Sequence, residues 1–329
     1  MQTITFLDKN NINRFDSVLK EKLTGFFPSG SRVAVKLHMG EEGNKYFLKP
    51  EWAKKIVNIL KHLGLKPFLF DSPVIYGGQR DSSAKYYKTA EKHGFSEKSI
   101  GCPVIVSDDG VDVKTYNLNA QVCKPIYESV YMLVLSHVKG HSCSGFGAAI
   151  KNLGMGGTSK KTKADIHSGG MPLIQDNCIA CGICAKACGF GAITIKEKAV
   201  CNEKECWGCS VCYYACPNNA IKPKDATFDL LLAEAAGTCI NNKKIFYVNV
   251  LMNIAKQCDC WSGENDIVIG DIGILLGDDI VAIDKASFDM VNKKAGKDLF
   301  GAIHKKSPLL HIKEAENLGL GSMDYCTTN

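Results

Sequence analysis

No uninterrupted apolar stretch of this chain approaches the roughly 20 residues that a membrane-crossing helix needs. Met1 opens onto Gln2-Thr3-Ile4-Thr5, with no basic segment leading into an apolar one, so no secretory leader is read either. The expectation is a reduced, cytoplasmic protein with no membrane association. Charge of one sign is also scarce: 40 lysines and arginines stand against 34 acidic residues, a formal charge of +6. The one dense basic patch, Lys160-Lys161-Thr162-Lys163, is too short to argue for a nucleic-acid partner and reads as a solvated loop. The glycine-rich run from Gly145 to Gly157 matches neither GxGxxG nor a Walker A pattern, so no nucleotide is assigned to it.

Cysteine, by contrast, is abundant, with sixteen in 329 residues. Eight of them fall into two equal runs, Cys178-x2-Cys181-x2-Cys184-x3-Cys188 and Cys206-x2-Cys209-x2-Cys212-x3-Cys216-Pro217. This is the spacing of a two-cluster bacterial ferredoxin. A cubane needs three thiolates from one tight loop, whose N–H groups face the sulfurs, and a fourth from elsewhere. In such ferredoxins the last cysteine of each run ligates the other cluster. The runs therefore predict Cys178, Cys181, Cys184 and Cys216 on one [4Fe-4S] cluster and Cys206, Cys209, Cys212 and Cys188 on a second. Ala192-Ile193 and Ala220-Ile221 follow their runs at matching offsets, as an internal duplication requires, and are expected to shield the clusters from water. A zinc site would leave the third and fourth cysteines of each run without a purpose, and a disulfide framework lacks an oxidising compartment. This many oxygen-sensitive ligands points to an anaerobic host.

The cysteine runs occupy only residues 173–223, bounded by Pro172 and Pro223, so 1–172 and 224–329 are expected to form one discontinuous domain. Those flanks alternate apolar runs with helical patterns. Strands are expected at Arg32–Leu37, Pro67–Phe70, Val104–Val106, Tyr131–Leu135, Ile245–Leu251 and Ile267–Ile269. Helices are expected at Trp52–Leu63, Ser82–His93, Phe228–Ala236 and Asp279–Lys294, with Gly145–Gly157 as a connection. The fold class that follows is α/β: a mostly parallel sheet with helices on both faces, interrupted by a small α+β ferredoxin-like insert.

Open α/β sheets bind ligands beyond the carboxyl ends of their strands, so the residues just after each predicted strand are the first candidates. They are reactive types. His38 and Asp71 follow the first two predicted strands, and His137, Lys139 and His141 follow Tyr131–Leu135. His38, Asp71, Lys139, His141 and Lys151 are the candidate catalytic set, with Lys151 and Asn152 positioned to hold an anionic group. Each alone has a plainer reading as a structural histidine or turn cap. Cys258-x-Cys260, outside the runs and in a polar-aromatic loop with Asp259 and Trp261, is a candidate third metal centre or cluster, or a redox-active pair, with Cys143 as a further ligand.

Several segments carry a family resemblance. Lys139-Gly140-His141, the run Gly145 to Gly156, Cys258-Asp259-Cys260, Asp271-Ile272-Gly273-Ile274-Leu275 and Asp279 to Asp284 resemble an iron-sulfur-linked domain-of-unknown-function family, number 362. The resemblance spans nearly the whole chain and implies no particular reaction. One departure is Gly189 after Cys188, where ferredoxin runs carry the proline that Cys216 has in Pro217.

Two functions compete at this point. One is an iron-sulfur oxidoreductase that relays electrons to a substrate, metal or third cluster near Cys258 and Cys260. The other is a non-catalytic electron carrier or docking module for a partner redox enzyme. The expected partners are accordingly a redox protein or a small-molecule substrate.

Overall fold

The computed structural model describes all residues, Met1–Asn329. Its frame is a sheet of eight strands: β1 (Gln2–Asp8), β2 (Arg32–Lys36), β3 (Lys66–Asp71), β4 (Val104–Val106), β5 (Tyr131–His137), β6 (Lys244–Leu251), β7 (Gly273–Gly277) and β8 (Tyr325–Thr328). They lie in the order β8-β1-β7-β6-β5-β2-β3-β4. Every pairing is parallel except the two made by β7, which runs antiparallel to β1 and β6.

The strands are apolar almost throughout because both faces are covered. Alternate residues feed two separate layers. Val33, Val35, Leu69, Leu133 and Leu135 pack against α1 (Phe15–Leu23), α2 (Pro50–His62) and α3 (Ser83–Lys92). Ala34, Phe68, Phe70, Met132 and Val134 face the opposite layer, which holds α4 (Ala149–Gly156) and, beyond α5 (Lys160–Gly169), also α6 (Phe228–Ile240) and α7 (Ile280–Ala295). Helix starts follow local chemistry. Pro50 opens α2, the Ser82 hydroxyl accepts from the Lys85 N–H, and the Asp279 carboxylate accepts from Val281 and Ala282.

Three expectations change. Lys160–Lys163 is not a solvated loop: it opens α5, and Lys163 is buried, its ammonium donating to the Ser72 hydroxyl and the Thr158 carbonyl at 2.7 Å each. Ile267–Ile269 is a strand, but it pairs with Ile254–Ala255 outside the main sheet, and the neighbouring Gly273–Gly277 enters the sheet instead. The run Gly145–Gly157 is not a plain connection. It forms a short strand, Gly145–Gly147, and then α4, and its glycines serve close packing against protein. A Cβ on Gly154 would lie 2.6 Å from the Leu232 carbonyl oxygen of α6, and one on Gly157 would lie 2.7 Å from the Cys239 sulfur.

Between α5 and α6 the chain leaves the sheet layers. Pro172–Ile174 pairs antiparallel with Ile221–Pro223, so Pro172 faces Pro223 where the segment begins and ends. A second two-stranded pair, Ile193–Ile195 with Ala199–Cys201, and two single-turn helices, Ile183–Ala187 and Val211–Ala215, complete it. Ile193, Ala199 and Ile221 form its small core together with Cys184 and Cys212. No helix anywhere in the chain is long and apolar enough to cross a membrane.

Candidate functional site

From β2 the chain steps outward to β3 and β4, then returns to lay β5 on the other side of β2. Strand order therefore reverses between β2 and β5, and the crevice at such a switch point is where open α/β sheets bind ligands. Lys36, Asp71 and His137 are the last residues of β2, β3 and β5, and all three line a cavity of about 370 Å³ at that edge. His38, Lys139, His141, Cys143, Lys151, Cys258 and Cys260 line it as well. The structure thus brings all the sequence-predicted catalytic and third-centre residues to one place.

Their roles within the cavity differ. Lys36 and Asp71 form a fully buried ion pair at 2.9 Å, and the Lys36 ammonium also donates to Asn152 Oδ1 at 2.7 Å. The Tyr86 hydroxyl donates to the same aspartate. Asn152 has both ends of its amide engaged, since its Nδ2 donates to the Leu135 carbonyl and the Ser136 hydroxyl, so it does not offer a free donor to an anion. His38 Nε2 lies 2.6 Å from the Arg80 guanidinium, a group that only donates, so the ring accepts there and is uncharged. Burial and Arg80 both hold its pKa well below the usual histidine value. Arg80 is itself buried and paired with Glu41 at 2.9 Å.

Lys139 and Lys151 run side by side past Gly147, where a Cβ would lie 3.8 and 3.6 Å from their methylenes. Lys139 has a carboxylate 3.4 Å away in Asp259. Lys151 has none, and burial together with the Lys139 charge pushes its pKa down to about 7.

Asp259 sits between the two cysteines of the Cys258-x-Cys260 loop and anchors it. Its Oδ1 is 2.7 Å from His137 Nδ1, while His137 Nε2 is 2.8 Å from the Met252 carbonyl. Each ring nitrogen of His137 thus faces an acceptor oxygen, which fixes the ring between Asp259 and the Met252 carbonyl. Burial alone would raise the Asp259 pKa, but His137 and Lys139 beside it hold it well below the usual carboxylate range. The loop backbone is fixed by three donors from two other segments: Glu41 N–H to the Asp259 carbonyl at 2.9 Å and Asn44 Nδ2 to the Trp261 carbonyl at 2.8 Å from one turn, and the Tyr76 hydroxyl to the Cys260 carbonyl at 3.4 Å. Cys258 and Cys260 are joined by a disulfide, and the other fourteen cysteines are free. A ring nitrogen of His141 and the two sulfurs lie within 4.8 Å of one another, a three-residue group of metal-ligating type. Cys143 lines the cavity but stands outside that group, and burial keeps it a thiol. His141 takes the place the sequence reading gave to Cys143.

The eight cysteines of the two sequence runs form two quartets around two small cavities. Cys178, Cys181, Cys184 and Cys216 line one, and Cys188, Cys206, Cys209 and Cys212 line the other, the same division that the crossed pairing predicts. The donor chemistry suits clusters of iron and sulfide. The N–H groups of Ala199, Gly208 and Ala220 lie 3.5, 3.4 and 3.2 Å from the sulfurs of Cys178, Cys206 and Cys216, and those on Cys178 lower its pKa. The two loops share a backbone: Ala180 and Gly208 have φ of 55° and 57°, Gly182 and Ser210 of 77° and 61°, and Gly191 and Asn219 of 66° and 49°. Left-handed residues at these offsets turn successive N–H groups toward one point, as anion-binding nests do.

The quartets differ in their surroundings. Cys181 is exposed, with Ile179 66% and Ile183 42% exposed beside it. The second quartet is pressed onto the main domain. The buried Lys306 ammonium, paired with Asp229 at 2.7 Å, donates to the Cys209 carbonyl at 2.8 Å, and the Ser210 hydroxyl donates to the Gly170 carbonyl at 3.1 Å. Phe190 and Trp207 line both this quartet's cavity and the strand-end cavity. His167 Nδ1 of α5 donates to the Trp207 carbonyl at 2.7 Å and fixes that wall.

Sequence reasoning missed Arg80, Glu41, Tyr76 and the Phe190–Trp207 wall, since none follows a strand or belongs to a metal-ligand spacing. Asp259 was visible as a neighbour of the cysteines, but its partner His137 is 122 residues away.

No curated protein matches the chain. Among solved structures, a crystal structure of a Thermotoga maritima protein superimposes with a TM-score of 0.47 at 10% identity, covering 94% of this chain and 61% of that one. The lactate racemase apoprotein from Thermoanaerobacterium thermosaccharolyticum gives a TM-score of 0.39 at 9% identity, covering 77% and 50%. This chain spans less than two thirds of the length of either. The family model described as "Domain of unknown function (DUF362)" matches residues 33–289, a span that runs from β2 through the cysteine quartets into α7, and the chain belongs to that family.

Proposed function

We propose that this is an iron-sulfur electron-transfer protein in which two [4Fe-4S] clusters, held by the two cysteine quartets, pass electrons to a substrate, metal or third centre in the cavity beside Cys258 and Cys260. The observation that carries this reading is the wall of Phe190 and Trp207 common to the inner quartet and the strand-end cavity. When bound, such clusters supply single electrons at a potential set by hydrogen bonds to sulfur and by exposure.

The residues of the chain divide the remaining work. The exposed face around Cys181 is the side at which a redox partner delivers electrons. Lys306 and Ser210 hold the inner quartet against the cavity. Lys139 and Lys151 place positive charge in the cavity, which favours an anionic substrate group or developing negative charge. A non-catalytic carrier needs only the quartets and leaves these buried cations without a purpose.

Anaerobically purified protein is expected to hold about eight iron and eight acid-labile sulfide per chain, with EPR signals on reduction. Replacing Cys206 and Cys209 by alanine should halve both contents. Stoichiometric zinc in place of iron and sulfide would sink the reading.

A further inference from the structure

We propose that Cys258 and Cys260 are a two-electron dithiol–disulfide store facing the cavity, with the His141 imidazole as hydrogen-bond donor to the thiolate, and that they do not hold a metal. The electron source, though not the store itself, rests on the relay of the preceding section.

Three features of the structure point this way. First, the disulfide closes a ring of only three residues, which removes little entropy from the unfolded chain, so the bond is a poor staple. The loop is already fixed by Glu41, Asn44 and Tyr76, and it keeps its place when the bond opens. Second, His141 Nδ1 faces the N–H groups of Cys143 and Ser144, both at 3.2 Å. Those groups only donate, so Nδ1 accepts and the ring proton resides on Nε2. Neither nitrogen then presents a lone pair to a metal ion, whereas Nε2–H is free to donate to a sulfur. Third, Lys139 and Lys151 line the same cavity as both sulfurs, and ammonium groups there favour thiolate over thiol.

The chemistry balances. Two electrons, arriving one at a time through the inner quartet, and two protons break the S–S bond and leave two thiols. In the return direction the Cys260 thiolate, half-buried and open to the cavity, attacks one sulfur of an acceptor disulfide and expels the other as a thiolate that takes up a proton. Cys258, buried beside it, then attacks the Cys260 sulfur, re-forms the ring bond and releases the second thiol. The acceptor that fits the cavity cations is a small disulfide bearing carboxylate or phosphate groups.

The test is alkylation and peptide mass analysis of the holoprotein across glutathione redox buffers. The peptide carrying Cys258 and Cys260 should pass from no label to two labels in a single step. His141→Ala should require about tenfold more reducing buffer for half-reduction, and His141→Gln, which retains a donor, should recover most of that shift. Cys258→Ser should trap a stable mixed disulfide at Cys260 with 5,5′-dithiobis(2-nitrobenzoate), where the wild type releases both thiols. A pair that stays labelled, or unlabelled, at every glutathione ratio overturns the store. So does reduced wild type that binds one Co2+ with sulfur charge-transfer bands abolished by His141→Ala. Glutathione acts without the clusters, so a normal titration alongside failed reduction by reduced methyl viologen upholds the store and removes only the relay.

Discussion

Lys151 stands in the cavity without a carboxylate, and this has a measurable consequence for stability. The folded state resists charging it, so its pKa falls from 10.5 to about 7, with burial the first cause and Lys139 the second. Between those values the unfolded chain binds more protons than the folded one, so this residue makes stability rise with pH from about 7 to about 10.5. Lys151→Met should therefore gain about 1–2 kcal/mol over wild type at pH 6, a figure discounted for the open cavity mouth, and lose that advantage by about pH 10. Urea midpoints at pH 6 and 10 check this, and an advantage equal at both would refute it. Lys151 was legible as a cation near the site because it follows a glycine-rich strand end. Its isolation was not legible, because it depends on the two nearby carboxylates, Asp71 and Asp259, being claimed by Lys36 and by His137 and Lys139.

Among the elements, the two cysteine loops are near-copies, and their differences are informative. Ala180 and Gly208 occupy equivalent positions with almost the same left-handed φ, so conformation alone does not demand glycine at 208. Contact does: a Cβ on Gly208 would collide with the His167 carbonyl of α5, whereas the Ala180 loop faces outward. Gly208→Ala is expected to keep iron content at or near wild type but to slow electron delivery into the cavity by tenfold or more, read as the rate at which reduced methyl viologen opens the Cys258–Cys260 bond. An equal rate would show that the loop contact is immaterial. The helices α2, α3, α6 and α7 were legible to within four residues because caps and 3.6-residue periodicity are local signals, whereas α1, α4 and α5 were not read as helices. Strands β1 and β8 were not, since Gln2–Thr5 pairs with Tyr325–Thr328 from the far end of the chain and neither segment has a distinctive pattern. Cysteine spacing foretold the quartets because ligand geometry is fixed by short loops, while the shared wall depends on how an insert leans on a sheet edge.

For the whole molecule, one large framework carries a small annex. The sheet domain has an apolar layer on each face, whereas the segment between Pro172 and Pro223 has a core of five buried residues, two of them cysteines. On the function proposed above, a unit that small would hold its shape through metal–thiolate bonds. Stripping iron with a chelator is expected to make residues 175–220 susceptible to protease and to rapid amide exchange while β2, β3, β5 and β6 stay protected. Loss of protection throughout the sheet would show instead that the two parts fold as one cooperative unit.

Pro172 facing Pro223 means that the chain leaves the framework and returns to it at nearly the same point. This makes the annex a side branch, and on the proposed function the sheet would close before any iron arrives and the cysteines would be fitted out on a finished scaffold. The outward quartet, with Cys181 at the surface, is the open berth for that delivery. The inward one has its back to a wall, so on the proposed function a chain caught halfway through maturation should carry its single cluster on the outer side.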